Sequence, residues 1–490
     1  MQSSAAQALE LQKFLNDFYE NPKKMMGHLP EIRDRSGHIT RPSKIPSDRE
    51  KNRIESLIPE KSRIRSRMSA ARLGAIRLES SYDRANDPEL FLGIPSEKII
   101  RKLARMPQSA KLAEIPWSDS YWPTYMGILG QRYADNGFPF SMNWKENFSA
   151  THGAFSAPRL WANEGGAVLD RLSPSEKYDF LIGPLTVRQS PLTRGMWEQG
   201  EMYFREFGEV ARWMGICHGW APASYFMPRP ERSVKVIASD GKTELTFRPS
   251  DIKGLASLLW AETDPPNRFV GSRCDQKDPK TDANGRIIEP DCFDTNPGAW
   301  HTIIVNQIAR IKKHFVMDAN YDDQVWNQPV YSYTYTLFNP ITKESVDTVE
   351  KAMVKKSDFI KDPFSAYRSS QTSFIVGVNM TVFYAVETSP STQSTVSAQD
   401  DDQRSAEYIY DLELNSAGQI MGGEWYTAHH PDFLWQPISS RTTTASDDEA
   451  AGEWNLSQPL PYSWQRAAES AATLRQPLAK IVEALIEASH

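Results

Sequence analysis

The 490-residue chain is predicted to adopt an α+β fold, with a helical N-terminal arm and a β-rich C-terminal region. Two observations carry this prediction. Apolar residues recur at roughly helical spacing over 194–227, and alternation of aromatic with polar residues begins after residue 325. A single hydrophobic core stops growing near about 250–300 residues, so the length predicts two or three domains.

Individual elements follow from local patterns. Glycine-bounded turns and capping residues mark the limits of helices, and an Asp-Gly pair marks a hairpin turn. In chain order we predict two helices over 194–227, a hairpin over 234–247, a helix over 249–261 capped by Ser250 or Asp251, strands over 330–338, 372–387 and 407–425 with an exposed loop at 389–404, and an amphipathic helix over 465–486.

These elements predict four consecutive segments: a basic helical N-terminal arm and candidate pro-segment (1–114), a catalytic core (115–330), a β-rich C-terminal region (331–438), and a linker with an amphipathic helix (439–490). Residues 31–75 hold 12 Lys/Arg and 6 Asp/Glu, a net charge of +6, whereas the whole chain carries −6. A basic arm beside an acidic body predicts that the arm covers a reactive centre, as in a zymogen. The alternative is a solubilising or surface-binding arm.

The composition excludes several classes of protein. Hydrophobic residues make up 40% of the chain, charged residues make up 24%, and the mean hydropathy is −0.54. These values exclude a polytopic membrane protein and wholesale disorder. The longest apolar run, 374–386, is shorter than the ~20 residues that span a bilayer, so no transmembrane segment is predicted. The net charge of −6 excludes a nucleic-acid-binding protein.

Cys217 is the candidate nucleophile. It lies between Gly215 and Gly219, directly before a predicted helix of small residues. A helix N-terminus stabilises a thiolate and lowers the pKa of the thiol, and backbone N–H groups there can hold an oxyanion. The alternative is a structural cysteine in an aromatic core.

A thiolate nucleophile needs a base, and His301 is the candidate. It follows the tight turn Asn296-Pro-Gly, and Asp318 ends another short apolar run further along the chain. The order Cys, His, Asp suits a carboxylate that orients an imidazole. A histidine satisfied within the core is the alternative, and Asp322 and Asp323 compete with Asp318 for the role of orienter.

The other histidines have weaker signals. His218 is interpreted as structural, because neighbouring residues on a helix point about 100° apart. His152, His429 and His430 lie in loops or beside a glycine, and no metal-ligand spacing supports a zinc site.

Cys274 and Cys292 bracket a hydrophilic loop. They form either a disulfide or two reduced thiols. The acidic residues between them suggest a cation loop, but the calcium template fails, because Lys280 would be its first ligand and Asp291 its last. A simple Asn-Gly turn at Asn284 is favoured instead.

Four motifs in the same order resemble the transglutaminase-elicitor family, which comprises oomycete cell-wall elicitors and Vibrio-type bacterial homologues. They are Trp213-Met-Gly-Ile-Cys-His-Gly-Trp-Ala221, Asn296-Pro-Gly-Ala-Trp-His301, Val325-Trp-Asn-Gln-Pro-Val330, and Gly422-Gly-Glu-Trp425 followed by Pro431-Asp-Phe-Leu-Trp435. The third motif resembles the start of the surface peptide that plants detect, although its continuation differs. The resemblance covers about residues 115–437.

The resemblance implies a calcium-dependent protein-glutamine γ-glutamyltransferase with a papain-like Cys-His-Asp catalytic core. By motif, Cys217 is the nucleophile and His301 the base, and Asp318 follows as orienter. No motif supplies the calcium ligands. Members of the family are secreted, which implies a secreted or cell-surface protein and favours a Cys274–Cys292 disulfide. The first six residues nevertheless lack the pattern of a secretory signal peptide.

The implied substrates are proteins or peptides that carry Gln and Lys. The thiolate attacks a Gln carboxamide, and a Lys amine resolves the thioester to an isopeptide bond. Trp213, Trp220 and Trp300 are candidates for a hydrophobic tunnel that excludes water, unless they are core residues. Two alternatives stay open: a cysteine protease or glutamine deamidase with the same triad, and a non-enzymatic surface binding protein.

Overall fold

The computed structural model describes residues 4–44, 84–186, 190–272, 279–289, 292–319 and 324–490. Within these ranges, no helix is both long and apolar enough to cross a bilayer. The strands are β1 (Ile32–Asp34), β2 (Ile39–Arg41), β3 (Ser109–Lys111), β4 (Val234–Ile237), β5 (Glu244–Phe247), β6 (Asn267–Gly271), β7 (Phe315–Asp318), β8 (Asn327–Phe338), β9 (Ser345–Val346), β10 (Val354–Lys355), β11 (Phe374–Val386), β12 (Asp402–Leu414), β13 (Ile420–Trp425) and β14 (Phe433–Pro437).

The helices are α1 (Ser4–Glu20), α2 (Pro22–Met25), α3 (Pro88–Leu92), α4 (Trp144–His152), α5 (Ala157–Glu164), α6 (Pro174–Ile182), α7 (Pro191–Phe207), α8 (Cys217–Phe226), α9 (Pro249–Thr263), α10 (Pro297–Ile304), α11 (Val349–Ala352), α12 (Tyr462–Thr473) and α13 (Ala479–Ala488). A π-helical segment, Val305–Ile311, continues α10.

The chain forms two compact units, each assembled from three separate segments. Unit 1 comprises Met1–Ile115, Asn267–Ala385 and Gln403–Gln436, and unit 2 comprises Pro116–Pro266, Val386–Asp402 and Pro437–His490. The predicted division into four consecutive segments therefore differs from the structure, and the predicted core 115–330 is split after Pro266. The reason is long-range pairing: β3, for example, pairs with β8 more than 200 residues later.

Unit 1 is organised by a large sheet in the order β2-β1-β12-β11-β8-β7-β14-β6, with β3 and β9 also on β8, β10 on β11, and β13 on β12. The strand β8 pairs antiparallel with β7 and with β11. Its side chains are nearly all buried, as expected of a central strand that contains three Tyr residues. The predicted β-rich character after residue 325 is confirmed.

The beginning of the chain is part of unit 1 and does not form a separate arm. Leu11, Phe14, Leu15 and Phe18 share one face of α1, at the spacing of a helical stripe. This stripe packs in one apolar cluster whose other members include Phe338, Phe364 and Tyr426. The strand β1 adds to the edge of the sheet by pairing with β12. Residues 45–83 of the predicted pro-segment lie outside the described residues, so its inhibitory role stays a prediction.

Unit 2 is mainly helical. It contains the predicted helix pair α7 and α8, the predicted hairpin β4–β5, and the predicted helix α9. The predicted caps of α9 are wrong, because Arg248 occupies the N-cap position. Asp251 lies one turn inside the helix, where its carboxylate accepts the Arg248 N–H at 2.7 Å.

The C-terminal amphipathic region is two helices, whereas the sequence predicts one. Leu478, Ile481, Val482 and Leu485 are buried as predicted, but Leu474 is 58% exposed. The helix α12 ends at Thr473, because the backbone at Arg475 is left-handed with a φ of 66° and Pro477 cannot donate an amide N–H; α13 begins at Ala479.

A buried ion cluster lies in unit 1. The Arg368 guanidinium donates to both oxygens of Asp411 at 2.6 Å, to Asp362 at 2.9 and 3.1 Å, and to Glu413 at 3.3 Å. All four side chains are almost inaccessible to solvent. Burial raises the pKa of Asp411 to about 7, although Arg368 opposes the rise. One cation thus offsets three buried carboxylates.

Replacing Arg368 by methionine is expected to lower the free energy of unfolding by about 3–5 kcal/mol, because the carboxylates would lose their buried counter-charge. The loss should be smaller at pH 5.5 than at pH 8. A raised folded pKa means that protonation at low pH favours the folded state. Urea denaturation measures both values. Lys351→Met, which breaks an exposed ion pair with Asp347, is the control and should change stability by less than about 0.5 kcal/mol. An equal loss in the two variants would contradict the prediction.

Candidate active site

Cys217 is the first residue of α8 in unit 2, as predicted from its glycine-bounded setting. The residue is 5% exposed and is not part of a disulfide. The turn before it is anchored to a neighbouring segment, because the Ile216 N–H donates to the Tyr121 carbonyl at 2.7 Å. A side chain at Gly215 would collide with the same carbonyl oxygen, so glycine is required there. The start of α8 is therefore held at a fixed place within unit 2.

The direction of α8 is set by its close packing on α9. An alanine Cβ at position 219 would fall well inside contact distance of the Ser257 carbonyl oxygen and 2.6 Å from the Ala261 Cβ. Gly219 therefore lets the two backbones approach each other two residues after Cys217.

Replacing Gly219 by alanine is expected to cost about 1–3 kcal/mol of stability, because α8 must move away from α9. The change should also alter the alkylation rate of Cys217, whose backbone would move with the helix. Thermal unfolding and timed iodoacetamide labelling measure the two effects. Gly166→Ala is the matched control, since no atom would lie within 4 Å of the added Cβ. Unchanged stability and labelling in Gly219→Ala would refute the close-packing argument.

One side chain of unit 2, Tyr121, interacts electrostatically with Cys217. Burial raises the pKa of Tyr121, and the charges of Tyr125, Glu387 and Cys217 act in the same direction. Tyr121 therefore stays a neutral phenol at physiological pH, and its hydroxyl donates to the Arg212 carbonyl at 2.9 Å. Backbone N–H groups at a helix N-terminus favour a thiolate, and Cys217 occupies that position in α8.

The three candidate tunnel residues are distributed over both units. In unit 2, Trp213 is half-buried and Trp220 is wholly buried, and the Trp220 indole N–H donates to the Trp117 carbonyl at 3.0 Å. In unit 1, Trp300 is wholly buried and packs edge-on against Tyr408. Trp220 and Trp300 therefore serve as core residues of their own units, and a tunnel role stays a prediction.

His301 lies in α10 of unit 1 and is wholly buried. Its Nδ1 is 2.9 Å from the Tyr410 hydroxyl, and its ring packs edge-on against Tyr335 with centroids 4.7 Å apart. Among the described residues, Nε2 has no hydrogen-bond partner. Burial lowers the pKa of His301 to about 3, so the imidazole is neutral at pH 7.

Asp318 ends β7 in unit 1 and is wholly buried. Its Oδ1 accepts the Trp326 N–H at 2.9 Å. Burial and then the charge of Asp318 raise the pKa of Asp294 well above its ordinary value, which identifies Asp294 as an acidic neighbour. Within the described part of the chain, Asp318 is not hydrogen-bonded to His301, since Nδ1 meets Tyr410. The competing candidates, Asp322 and Asp323, lie outside the described residues.

Three of the four sequence motifs meet in unit 1. An alanine Cβ at position 298, in the turn before His301, would lie 2.6 Å from the Cα of Gly422, so α10 and β13 touch through glycines. The Trp425 indole N–H donates to the Thr295 carbonyl at 2.7 Å. The Trp435 indole N–H donates to the Asn327 side chain at 2.7 Å, which joins the third motif to the fourth. The fourth motif thus contacts both the second and the third, about 100 residues before it in the chain.

The family model for the transglutaminase elicitor matches residues 206–451, half of the chain, and includes all four motifs. The chain belongs to the transglutaminase elicitor family. The predicted family membership is confirmed. No curated protein matches the sequence.

A solved structure shares the fold of this elicitor-family chain. It is the GP42 transglutaminase from Phytophthora sojae, with a TM-score of 0.52 and 18% sequence identity, and the match covers 81% of this chain and 99% of the other. This similarity in fold and the large antiparallel sheet of unit 1 confirm the predicted α+β class. The papain-like character of the catalytic core stays a prediction.

The predicted disulfide can be followed at one of its two residues. Cys292 is buried and disulfide-bonded. Cys274 lies outside the described residues, so the Cys274–Cys292 pairing stays a prediction.

Thiol titration of the denatured, unreduced protein is expected to give one thiol per chain, because Cys217 is not in a disulfide. The same titration after reduction should give three, the number of cysteines in the sequence. Three thiols without reductant would contradict the bridge.

Metal ligands are not evident in the described ranges, where no group of three or more His, Cys, Asp or Glu side chains is suited to a metal ion. Lys280, the mismatched first ligand of the calcium template, pairs with Glu289 at 3.9 Å. The loop closes as the predicted turn, in which Gly285 has a φ of 83°. Asp275, Asp278 and Asp291 lie outside the described residues.

The remaining histidines have structural surroundings. His218 follows Cys217 in α8 and is half-buried. His152 stacks on Phe148 and its Nδ1 lies 2.9 Å from the Phe148 carbonyl oxygen. His430 stacks on Trp425, and burial lowers the pKa of His430 to about 3.

Two residues near the predicted site residues were missed by sequence reasoning. Tyr410 lies on β12, within the predicted strand 407–425, and a strand pattern does not indicate which residue its side chain contacts. Asp294 precedes the Asn296-Pro-Gly turn and has a φ of 54°. The available signal for Asp294 was its position two residues before the second motif. Its closeness to Asp318 could not be predicted, because it depends on the tertiary fold.

Proposed function

We propose that the protein is a protein-glutamine γ-glutamyltransferase that joins peptide Gln to Lys or other amines. The single observation that carries the proposal is Cys217, a buried thiol at the first position of α8 and outside any disulfide. Membership of the transglutaminase elicitor family supports the same function. The GP42 transglutaminase, which has a similar fold, carries this activity in its name.

The reaction begins when the Cys217 thiol gives its proton to His301 and the sulfur attacks the γ-carboxamide carbon of a peptide Gln. The N–H groups at the start of α8 are suited to the oxyanion of the tetrahedral intermediate. The C–N bond then breaks, His301 gives its proton to the departing ammonia, and a thioester remains. A Lys amine attacks the thioester and loses a proton to His301. The C–S bond breaks, the departing sulfur takes this proton back from His301, and an isopeptide bond and the restored thiol remain.

His301 is proposed as the base because its buried imidazole is neutral and its Nε2 is unpaired among the described residues. A base must be unprotonated at the working pH, and burial keeps this imidazole unprotonated. The role of Asp318 as orienter rests on the family resemblance alone, because neither ring nitrogen of His301 is hydrogen-bonded to it among the described residues. Trp213 is the tunnel candidate that is only half-buried.

No calcium ligand is proposed. The described residues offer no suitable group of ligands, and no step of the reaction above depends on a metal. Secretion is proposed from the extracellular character of the elicitor family and agrees with the disulfide-bonded state of Cys292.

The test is incorporation of a fluorescent primary amine into a Gln-containing protein, with ammonia release measured in parallel. A transglutaminase releases ammonia and incorporates amine in nearly equal amounts. Ammonia without incorporated amine would identify a deamidase, and new peptide termini would identify a protease. No product of any kind, together with a Cys217 thiol that iodoacetamide does not alkylate at pH 7, would overturn the enzymatic assignment.

A further inference from the structure

The Tyr410 hydroxyl is the hydrogen-bond partner of His301 among the described residues, at 2.9 Å from Nδ1. Both side chains are wholly buried in unit 1. In enzymes that use a histidine base, the group bonded to one ring nitrogen fixes which nitrogen carries the proton and which one reacts. Tyr410 is the group bonded to Nδ1 of His301, a role that the sequence analysis predicts for Asp318.

The number of protons at Tyr410 determines the direction of this hydrogen bond. The Tyr410 hydroxyl also lies 3.6 Å from the sulfur of Met380 on β11. A thioether sulfur has only lone pairs and can only accept, whereas a neutral phenol has one proton to donate. When that proton points to Met380, the phenol oxygen accepts the Nδ1–H of His301. Nε2 then carries the lone pair.

The imidazolium formed during the reaction requires the same arrangement. Both of its ring nitrogens carry protons, so Nδ1–H needs an acceptor in a buried setting. The Tyr410 oxygen accepts this proton only if its own hydroxyl turns away from the ring, and Met380 offers an acceptor in that direction. Burial also raises the pKa of Tyr410 well above its ordinary value, so the phenol keeps its proton.

The other surroundings of His301 do not compete for this role. Tyr335 contacts the ring edge-on, but its hydroxyl donates to the Met106 carbonyl at 3.2 Å. On β13, which packs on α10, the carboxylate of Glu424 is held by Arg286 at 2.8 Å. The described neighbours therefore leave Tyr410 as the group that orients Nδ1.

We propose that Tyr410, supported by Met380, is the positioning residue of His301: its phenol oxygen accepts the Nδ1–H and so presents Nε2 as the reacting nitrogen. The kinetic part of this inference rests on the proposed function. The part that concerns the tautomer of His301 does not depend on it.

The tautomer is measured by NMR on the full chain labelled with ¹⁵N in its histidine rings, with His301→Gln used to assign the signals. In the wild-type protein at pH 7, Nδ1 of His301 should be protonated and Nε2 unprotonated. In Met380→Leu the hydroxyl loses its sulfur acceptor and should donate to Nδ1, which moves the proton of the ring to Nε2. A wild-type signal with Nε2 protonated, or an unchanged tautomer in Met380→Leu, would overturn the proposal.

The kinetic consequence is measured with Tyr410→Phe, which removes the hydroxyl and keeps the ring. The kcat of amine incorporation should fall by about 10²-fold with KM unchanged within about twofold, because the base is no longer oriented while substrate contacts remain. Tyr335→Phe is the matched control, since its ring contacts the same imidazole but its hydroxyl bonds elsewhere. It should keep kcat within about twofold.

The outcomes separate the two proposals. If the wild-type protein incorporates no amine but shows the expected His301 tautomer, the proposed function fails and the structural role of Tyr410 stands. If the wild-type protein is active and folded Tyr410→Phe keeps full kcat, the positioning role is overturned and the proposed function is not. Equal losses of kcat in Tyr410→Phe and Tyr335→Phe would also overturn the positioning role, because they would indicate a packing effect.

Discussion

Cys217→Ala is expected to lose amine incorporation by about 10⁴-fold or more while unit 2 remains folded. Removal of a nucleophile leaves only the catalysis that binding and an oxyanion site supply. The structural cost should be small, at about 1 kcal/mol, because a small buried side chain is replaced by another. Steady-state amine incorporation and thermal unfolding, measured on the same preparation, test both statements.

The control for this variant is His218→Ala, which alters the next residue in the same turn of α8. It should keep measurable activity, because His218 is half-buried and has no role in the proposed reaction. Clear residual activity in a folded Cys217→Ala protein would remove Cys217 from the reaction. An equally severe loss in His218→Ala would indicate that the two substitutions disturb the start of α8 in the same way.

His301→Gln is expected to lower kcat by about 10³- to 10⁴-fold, because the proton transfers at the leaving ammonia and the incoming amine lose their base. The variant should also change the pH dependence of stability. The folded pKa of His301 is lowered to about 3, so the unfolded state binds the proton more readily and stability falls as pH decreases below about 6.5. His301→Gln should remove this contribution.

His430→Gln is the control for His301→Gln, because His430 is also buried in unit 1 and burial also lowers its pKa to about 3. It should reduce the acid sensitivity of folding in the same way but keep activity. Denaturation curves between pH 4 and pH 8, combined with the amine-incorporation assay, separate the two roles. Full activity in folded His301→Gln would show that another group acts as the base.

Much of the local structure was predictable because its causes are local. The helix pair α7 and α8 follows from apolar residues at helical spacing, and the β4–β5 hairpin follows from its Asp-Gly turn. The start of α8 at Cys217 follows from the glycines on either side of it. Where the local signal was ambiguous, the prediction failed. Ser250 and Asp251 both suit an N-cap, but Pro249 already begins the helix and leaves Arg248 as the cap.

The glycines of the motifs show how far sequence reasoning reaches. Gly215, Gly219 and Gly298 stood out as members of motifs, but the sequence did not indicate what each one approaches. The structure places Gly215 against the Tyr121 carbonyl, Gly219 against α9, and Gly298 against Gly422. These contacts join residues far apart in the chain, so no local pattern could predict them.

The sequence by itself determined the α+β class, the identity of the candidate nucleophile and base, and the family, because helical spacing, strand alternation and short motifs are properties of neighbouring residues. Only the tertiary structure decided that the N-terminal helix packs into unit 1, that each unit is assembled from three separate segments, and that His301 is bonded to Tyr410. The physical reason is that sheet pairing and core packing act between residues that are close in space, and a period or a motif records nothing of that distance.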